Sequence, residues 1–287
     1  MAILATFPGR FGDILWSLPT VRALAEGSGE PVDLAVSQKY GSLKPLLARQ
    51  EYLREVHVLA DWEVVESAPM TPRAAPSWIY DNYEHSIDLG YKGWPSRPLP
   101  YEIYETAKAD SRIPLAMIDL SRPWIVPPFN LTQYSPGILV GFTEEYFELK
   151  YGIYQLLVQK LYAEKRLLSH ALVNLSTSSR WTAEAGHKGY DWESAAAWLA
   201  AGEVFLGCCS ALHVLAVAVG CPAVVMEPAE ARLHSIFWPL GQDGPQVTLV
   251  RGNDKKATFD ARQTILTVEQ GRSQRKVGAD PRRERDE

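Results

Sequence analysis

The 287-residue sequence predicts an α/β protein with two Rossmann-like domains, and three observations support this class. Short apolar runs with the length of buried strands alternate with segments of helical periodicity. A proline-rich stretch between Ser121 and Pro136 interrupts this alternation, which then starts again. The segment Glu203–Pro228 contains a compact strand–helix–strand unit, whose two strands should be parallel. We therefore expect two parallel sheets that face each other across a cleft.

The proline-rich stretch predicts a stiff linker and hence a domain boundary. We assign the N-terminal domain to residues 1–130 and the C-terminal domain to residues 131–270. The charged segment 271–287 lacks apolar periodicity, and we expect it to be disordered.

The N-terminal half opens with an apolar strand at Ala2–Phe7, a turn with two glycines around Arg10, and a helix at Ile14–Glu26. Pro19 lies within this helix, so we expect a kink or a late start. The turn is typical of a loop where backbone approaches a ligand closely. The remaining elements expected in this half are strands at Val32–Val36, Val56–Leu59 and Ser86–Leu89, and helices at Leu43–Arg49 and Tyr101–Ala109.

The segment Trp62–Pro100 is rich in Pro, Trp, Tyr and Arg. Two interpretations stay open: ordered loops that bind a polar ring, or irregular packing under the edge of the sheet.

The C-terminal half repeats the alternation. Asp191 is expected to cap a helix at Trp192–Ala201. The other elements expected are strands at Gly137–Phe142, Ala171–Leu175 and Val247–Val250, and helices at Tyr154–Lys165 and Phe259–Val268.

The strand–helix–strand unit predicts a ligand site. A strand at Val204–Leu206 leads into a turn of small residues, Ser210 as N-cap, and an apolar helix at Ala211–Gly220. A second strand follows at Ala223–Met226. The turn lies at the carboxyl end of the first strand, where open α/β sheets bind ligands. Free amides at the helix start favour an anion such as phosphate.

Composition limits the partners. The formal net charge of −5 and pI near 5.8 argue against a broad nucleic-acid-binding surface, though not against a local basic groove. Three cysteines, two of them adjacent, give neither a disulfide framework nor a zinc pattern. We find no signal peptide and no apolar stretch of membrane-spanning length, so we expect a cytoplasmic protein with at most peripheral membrane contact.

Two motifs resemble the signatures of one family, the ADP-heptose:lipopolysaccharide heptosyltransferases of glycosyltransferase family 9. Phe11–Leu24 (FGDILWSLPTVRAL) is similar to its N-terminal signature, a Gly-Asp followed by apolar residues, a proline and a basic-apolar helix. Gly207–Pro228 is similar to its C-terminal signature, an Asp-Ser/Thr-Gly turn, a His-Leu-Ala-rich helix and a Gly-x-Pro strand start. The two motifs stand in the family's order, in opposite halves of the chain.

The resemblance implies a GT-B fold and an inverting transfer from a nucleotide-diphosphate sugar to an acceptor hydroxyl. It implies no metal or other cofactor, and the chain lacks an Asp-x-Asp metal motif. The acceptor would be a glycan, a lipid-linked molecule or another hydroxyl compound. Asp13 matches the family's proposed general base, and the diphosphate would leave from the start of the C-terminal helix.

The resemblance also implies binding residues. On the acceptor side these are Arg10, Phe11 and Gly12, with the loops from Trp62 to Arg97 around them. The donor side would comprise Thr143, Lys150, Cys209, Ser210, Ala211 and His213. Position alone adds two residues after the last strand of the motif: Glu227, which could accept from a ribose, and Arg232, which could reach a phosphate.

The C-terminal motif departs from the family at three positions. Cys209 stands where the family has Asp, Ala211 stands at its Gly, and His213 is one residue early. The resemblance implies that this Asp contacts donor groups, so its replacement by Cys209 argues against ADP-heptose as the donor.

Alternatives remain open. The acceptor could be a protein, a small molecule or modified phage DNA instead of lipopolysaccharide. The chain could also be another nucleotide-sugar enzyme on the same fold, such as a 2-epimerase, or a degenerate protein that binds a nucleotide sugar without catalysis. A thiol nucleophile at Cys208 or Cys209 beside His213 is weaker, because no orienting acid lies near in sequence.

Overall fold

The protein contains two parallel sheets. Our computed structural model describes residues 2–62, 71–92, 97–110, 112–128, 138–141, 173–174, 191–227 and 247–251. The first sheet has the strand order β3-β2-β1-β4, and the second has the order β6-β5-β7-β8-β9. All recorded strand pairs in both sheets are parallel, which confirms the predicted sheet type.

The first sheet alternates with helices, as the sequence predicts. Its strands are β1 (Ile3–Phe7), β2 (Val32–Ser37), β3 (Leu53–Leu59) and β4 (His85–Asp88), and its helices are α1 (Phe11–Ser28), α2 (Lys44–Leu47) and α3 (Leu99–Asp110). The helix expected at Leu43–Arg49 is shorter, because a 3-10 turn at Gln38–Leu43 precedes it and Pro45 stands in its first turn. A second 3-10 turn covers Ser77–Asn82, within the aromatic segment.

The second sheet contains the strand–helix–strand unit. Its strands are β5 (Ile138–Gly141), β6 (Val173–Asn174), β7 (Val204–Gly207), β8 (Ala223–Glu227) and β9 (Val247–Arg251). Its described helices are α4 (Trp192–Ala201) and α5 (Ala211–Ala218). Helix α4 has the predicted bounds, and the Asp191 carboxylate accepts from the Ser194 backbone N–H at 2.6 Å. The helices expected at Tyr154–Lys165 and Phe259–Val268, and the tail, lie outside the described residues.

Helix α1 corrects the expected late start, since it begins at Phe11 and continues through Pro19. A proline at this position removes the N–H that would bond to the Leu15 carbonyl one turn earlier. The Trp124 indole Nε1 donates to that carbonyl at 3.1 Å instead. Because this buried acceptor has a partner, the helix accommodates the proline.

The described part of the linker is anchored to both halves of the chain. The Arg22 guanidinium donates to the Pro123 carbonyl at 3.1 Å, and the Gln50 side-chain carbonyl accepts from the Val126 N–H at 2.8 Å. On the other side, the backbone N–H of Trp124 donates to the Ala218 carbonyl of α5 at 3.0 Å. This segment therefore connects the two halves through hydrogen bonds as well as through the chain.

One hydrophobic core cluster extends through both halves. It includes Leu15 and Trp16 of α1 together with Leu212 and Leu215 of α5. The packing of α1 on α5 brings the starts of the two signature helices together. No helix in the described ranges is long and apolar enough to cross a membrane.

Candidate active site

Asp13 lies where the first strand leads into the first helix. Strand β1 ends at Phe7, and after a short turn Asp13 is the third residue of α1. Gly9 allows this turn to pack tightly, because a Cβ there would lie 2.2 Å from Phe7 Cε1 and 3.0 Å from Asp13 Cβ. The turn therefore needs a glycine for its own packing, whether or not a ligand approaches it.

The Asp13 carboxyl is partly exposed but poorly solvated. Burial raises its pKa to about 6, although the Arg10 charge and a hydrogen bond from the Arg10 backbone act to lower it. The start of α1 also favours a negative charge at this position. A carboxyl with this pKa is mostly ionised at neutral pH and is a stronger base than an ordinary aspartate.

The residues around Asp13 connect α1 with the second half. The Phe11 ring lies 4.8 Å from the Trp192 ring of α4 and 4.9 Å from the Tyr40 ring. A Cβ on Gly12 would lie 3.6 Å from Ala211 Cα, at the first residue of α5. Arg10 is the exposed residue of this segment. Phe11 and Gly12, expected to contact the acceptor, thus make protein contacts across the two halves.

The start of helix α5 carries the His213 half of a capping box, in which the side chain of the third helical residue accepts from the N-cap backbone. The Ser210 backbone N–H donates to His213 Nδ1 at 3.0 Å. The Ser210 hydroxyl oxygen is buried and has no hydrogen-bond partner in the described part of the chain. The His213 ring is fully buried, whereas Cys209, Ser210 and Ala211 are partly exposed. The structure therefore leaves the turn accessible and places His213 beneath it.

The remaining donor-side residues are only partly described. Glu227 is the last residue of β8, at the carboxyl end of a strand adjacent to β7. Thr143, Lys150 and Arg232 lie outside the described residues. Of the residues predicted to bind the donor, Cys209, Ser210 and Glu227 thus lie at the carboxyl edge of the second sheet.

A second polar cluster lies near the amino-terminal ends of β2 and β3. Ligand atoms of Asp33, Glu55 and His57 lie within 4.8 Å of one another, so this group could hold a metal ion. Arg54, however, donates to both Asp33 oxygens, at 2.9 and 2.6 Å, and the Tyr83 hydroxyl donates at 2.6 Å. Although burial acts to raise the pKa of Asp33, these hydrogen bonds outweigh it and hold the pKa below its usual value. Both carboxylate oxygens of Asp33 thus already accept hydrogen bonds from Arg54 or Tyr83.

Comparison with solved structures identifies the fold. ADP-heptose lipopolysaccharide heptosyltransferase II of E. coli aligns with a TM-score of 0.59 and 14% identity, over 94% of this chain and 100% of its own. The E. coli heptosyltransferase WaaC with ADP aligns with a TM-score of 0.57 and 13% identity, over 93% and 100%. The chain has the heptosyltransferase fold. A glycosyl transferase family 9 structure from Veillonella parvula aligns with a TM-score of 0.49 and 10% identity, over 91% and 89%.

The comparison confirms the predicted GT-B architecture, with parallel sheets in both halves. No protein-family model matches the chain, and no curated protein matches its sequence. The structure thus shows the heptosyltransferase fold although the sequence identity to these proteins is low.

Sequence reasoning missed the aromatic residues that connect the two halves. Trp16 lies 5.7 Å from the Trp124 ring and 6.1 Å from the His213 ring, measured between centroids. Trp192 Nε1 donates to the Ser42 hydroxyl at 3.2 Å, and Arg49 forms an ion pair with Glu193. The sequence contained one signal for these contacts: Trp16 lies in the N-terminal signature and His213 lies in the C-terminal one.

Proposed function

We propose that this protein is a glycosyltransferase that transfers a sugar from a nucleotide-diphosphate donor to an acceptor hydroxyl. The observation that carries the proposal is Asp13, a carboxyl with a pKa of about 6 that directly follows Gly12, the residue packed on the start of α5. The heptosyltransferase fold supports the same reaction class, since two glycosyltransferases share it.

Asp13 would act as the general base. Its carboxylate would take the proton of the acceptor hydroxyl as that oxygen attacks the anomeric carbon of the donor sugar. The bond between the anomeric carbon and the diphosphate oxygen breaks in the same step, and the nucleoside diphosphate leaves. Attack from the face opposite the leaving group inverts the anomeric configuration, as the resemblance to the family implies.

The start of α5 would bind the leaving diphosphate. Its free amide groups and helix dipole favour an anion, and the unpartnered Ser210 hydroxyl could donate to a phosphate oxygen. These donors would stabilise the developing charge without a metal ion. The structure of WaaC with ADP supports a nucleoside diphosphate as the leaving group.

Further donor contacts are assigned by the sequence motifs. Thr143, Lys150 and Arg232 would contact the diphosphate, and Glu227 would accept from a ribose hydroxyl. Cys209 and Ala211 would line the donor site on either side of Ser210.

The acceptor would approach from the Arg10 side of Asp13. Arg10 is exposed at the N-cap of α1, so its guanidinium is the member of this segment best placed to meet an acceptor. Phe11 and Gly12 would shape this side of the site through their packing on Trp192 and Ala211.

A screen for donors tests this proposal. Thermal shifts with nucleotides and nucleotide sugars would find the donor, and donor hydrolysis would then be measured for wild type, Asp13→Asn and Glu26→Gln. Glu26 is an acid near the far end of α1 and serves as the matched control. We expect Asp13→Asn to bind the donor and to lose at least about 100-fold in turnover, the usual contribution of a general base. Glu26→Gln should retain turnover.

Two outcomes would contradict the proposal. If no nucleoside diphosphate or nucleotide sugar stabilises the protein, the donor site at Ser210 is wrong. If a nucleotide sugar binds and no variant, including wild type, turns it over with any acceptor, the protein is a nucleotide-sugar-binding protein without catalysis. That second result would match the loss of the family's Asp and Gly at Cys209 and Ala211.

A further inference from the structure

We propose that His213 is a positioning residue that keeps the Ser210 turn in a fixed position relative to the Asp13 helix, through its contact with Trp16. The inference rests on the proposed function, because it concerns the turn that would bind the donor diphosphate. It assigns a specific task to a side chain that the sequence places among the donor-binding residues.

The hydrogen bond between His213 and Ser210 determines the tautomer of the ring. His213 Nδ1 accepts from the Ser210 N–H at 3.0 Å, so Nδ1 carries no proton and the neutral ring carries its proton on Nε2. The bond fixes the amide that precedes α5. The following amides, of Ala211 and Leu212, belong to the first turn of α5, where backbone N–H groups have no partner within the helix, so their direction depends on the same turn.

His213 is too deeply buried to contact a ligand directly. Its exposed fraction is 0%, although α5 is otherwise apolar. A buried imidazole costs more than the leucine or valine that would fill the same space, unless its hydrogen bonds compensate for the lost hydration. This position therefore retains a polar side chain that lies under the ligand turn.

Trp16 of α1 packs against the His213 ring, so the position of α1 limits where this ring can lie. Trp16 lies three residues after Asp13, and His213 lies three residues after Ser210. Their ring centroids are 6.1 Å apart at an interplanar angle of 63°, and Trp16 has an exposed fraction of 1%. A close-packed contact of this kind does not yield without moving one of the helices.

Two neighbouring contacts make the arrangement rigid. At the helix starts, Gly12 packs on Ala211. On the other side of Trp16, the Trp124 ring lies at 5.7 Å. Its indole Nε1 donates to the Leu15 carbonyl of α1, and the Trp124 backbone N–H donates to the Ala218 carbonyl of α5. The three rings Trp124, Trp16 and His213 thus form a column between the general-base helix and the donor helix.

The test compares two substitutions of His213 with a control in the same helix. His213→Leu keeps an apolar volume and removes the acceptor, whereas the Asn Oδ1 of His213→Asn can replace Nδ1 as the acceptor. Val217→Ala opens a cavity in α5 away from the turn, at a fully buried position. Affinities for ADP, GDP, UDP and CDP would be measured by calorimetry, together with kcat, KM and the thermal midpoint.

We expect His213→Leu to weaken binding of the preferred nucleoside diphosphate about tenfold and to lower kcat, because the Ser210 amide loses its partner. His213→Asn should restore most of the affinity and of kcat. Val217→Ala should lower the thermal midpoint and keep the affinity of wild type. A merely structural role of His213 would instead make affinity follow thermal stability in all three variants.

A fourth variant, Trp16→Phe, keeps the test decisive if His213→Leu does not fold. Because it changes the spacing of α1 and α5, it should lower kcat more than it raises KM. The inference is overturned if His213→Asn is no better than His213→Leu, or if Trp16→Phe leaves kcat unchanged. If wild type binds a nucleoside diphosphate and turns over a donor in those cases, the proposed function stands alone. If wild type binds none of the four nucleotides, both proposals fail.

Discussion

At the scale of single residues, Asp13 stands out because its environment opposes its ionisation. Burial raises the pKa of a carboxyl that a helix start and a neighbouring arginine would otherwise hold low. Sites that need a strong base commonly accept such a cost in stability. The raised pKa that would suit Asp13 to act as a general base should therefore destabilise the folded protein at neutral pH.

Asp13→Asn should increase stability above pH 6. The folded carboxyl has a pKa of about 6 and the unfolded one about 3.8, so the folded state binds the extra proton between these values. Stability consequently falls as pH rises through this window, and the loss is complete above pH 6. Denaturant unfolding should show that Asp13→Asn is more stable by about 1–3 kcal/mol at pH 7.5 and no more stable than wild type at pH 3.5.

Equal stability of the two proteins at pH 7.5 would contradict the raised pKa. Glu26→Gln provides the comparison at the other end of the helix, where removal of a carboxyl should bring no gain.

The two glycines of the first turn should differ in their tolerance of a methyl group. Gly9→Ala would place Cβ 2.2 Å from the Phe7 ring and against Asp13, so we expect a loss of about 2 kcal/mol or more of unfolding free energy. Gly12→Ala places Cβ at 3.6 Å from Ala211, an ordinary contact, within a helix where alanine is the better residue. Thermal unfolding of the pair measures this difference, and an unchanged midpoint for Gly9→Ala would show that the turn is looser than described.

At the scale of elements, helix α1 continues through a proline because a residue distant in sequence supplies a hydrogen-bond donor. Pro19 predicts an interruption, but its consequence is one unpaired carbonyl, at Leu15. Trp124 supplies the missing donor from 109 residues away in sequence. The effects of substituting Pro19 and Trp124 on stability should therefore be coupled.

Trp124→Phe should cost less in a Pro19→Ala background than in wild type. In wild type the substitution leaves the Leu15 carbonyl buried without a donor, which costs about 1–3 kcal/mol in addition to the lost packing. With alanine at position 19, the backbone N–H can bond to that carbonyl and replace the indole. A double-mutant cycle by denaturant unfolding measures the coupling. Equal costs in the two backgrounds would mean that the Trp124 hydrogen bond contributes nothing.

At the scale of the whole molecule, the two halves form one packed unit around the signature helices. The continuous core, the column of Trp124, Trp16 and His213, and the contacts of Trp192 with Phe11 and Ser42 all cross between them. Gly12, the residue before Asp13, packs on Ala211 of α5, so the segment that carries Asp13 contacts both halves.

The sequence predicts the fold well because buried strands and capped helices have local signals. The strand–helix–strand unit at Glu203–Pro228 and the helix at Trp192–Ala201 follow from apolar runs and capping residues alone. The ring contacts of Trp16 and Trp192 escape prediction, because periodicity shows that a side chain is buried but not which distant partner it packs against.

The raised pKa of Asp13 could not be predicted from the sequence either, for a related reason. A helix start next to Arg10 predicts a low pKa for Asp13, and desolvation by burial reverses the balance. Burial is a property of the assembled molecule, so no local pattern carries it.

The most direct test of the central claim is the pH dependence of kcat/KM for donor turnover. It reports the ionisation of the free enzyme, so wild type should lose activity on acidification with an apparent pKa of about 6, as Asp13 takes up its proton. Asp13→Asn should show only residual turnover without this acidic limb. An acidic limb near pH 6 that persists in Asp13→Asn, or wild-type activity that stays level down to pH 5, would contradict Asp13 as the general base.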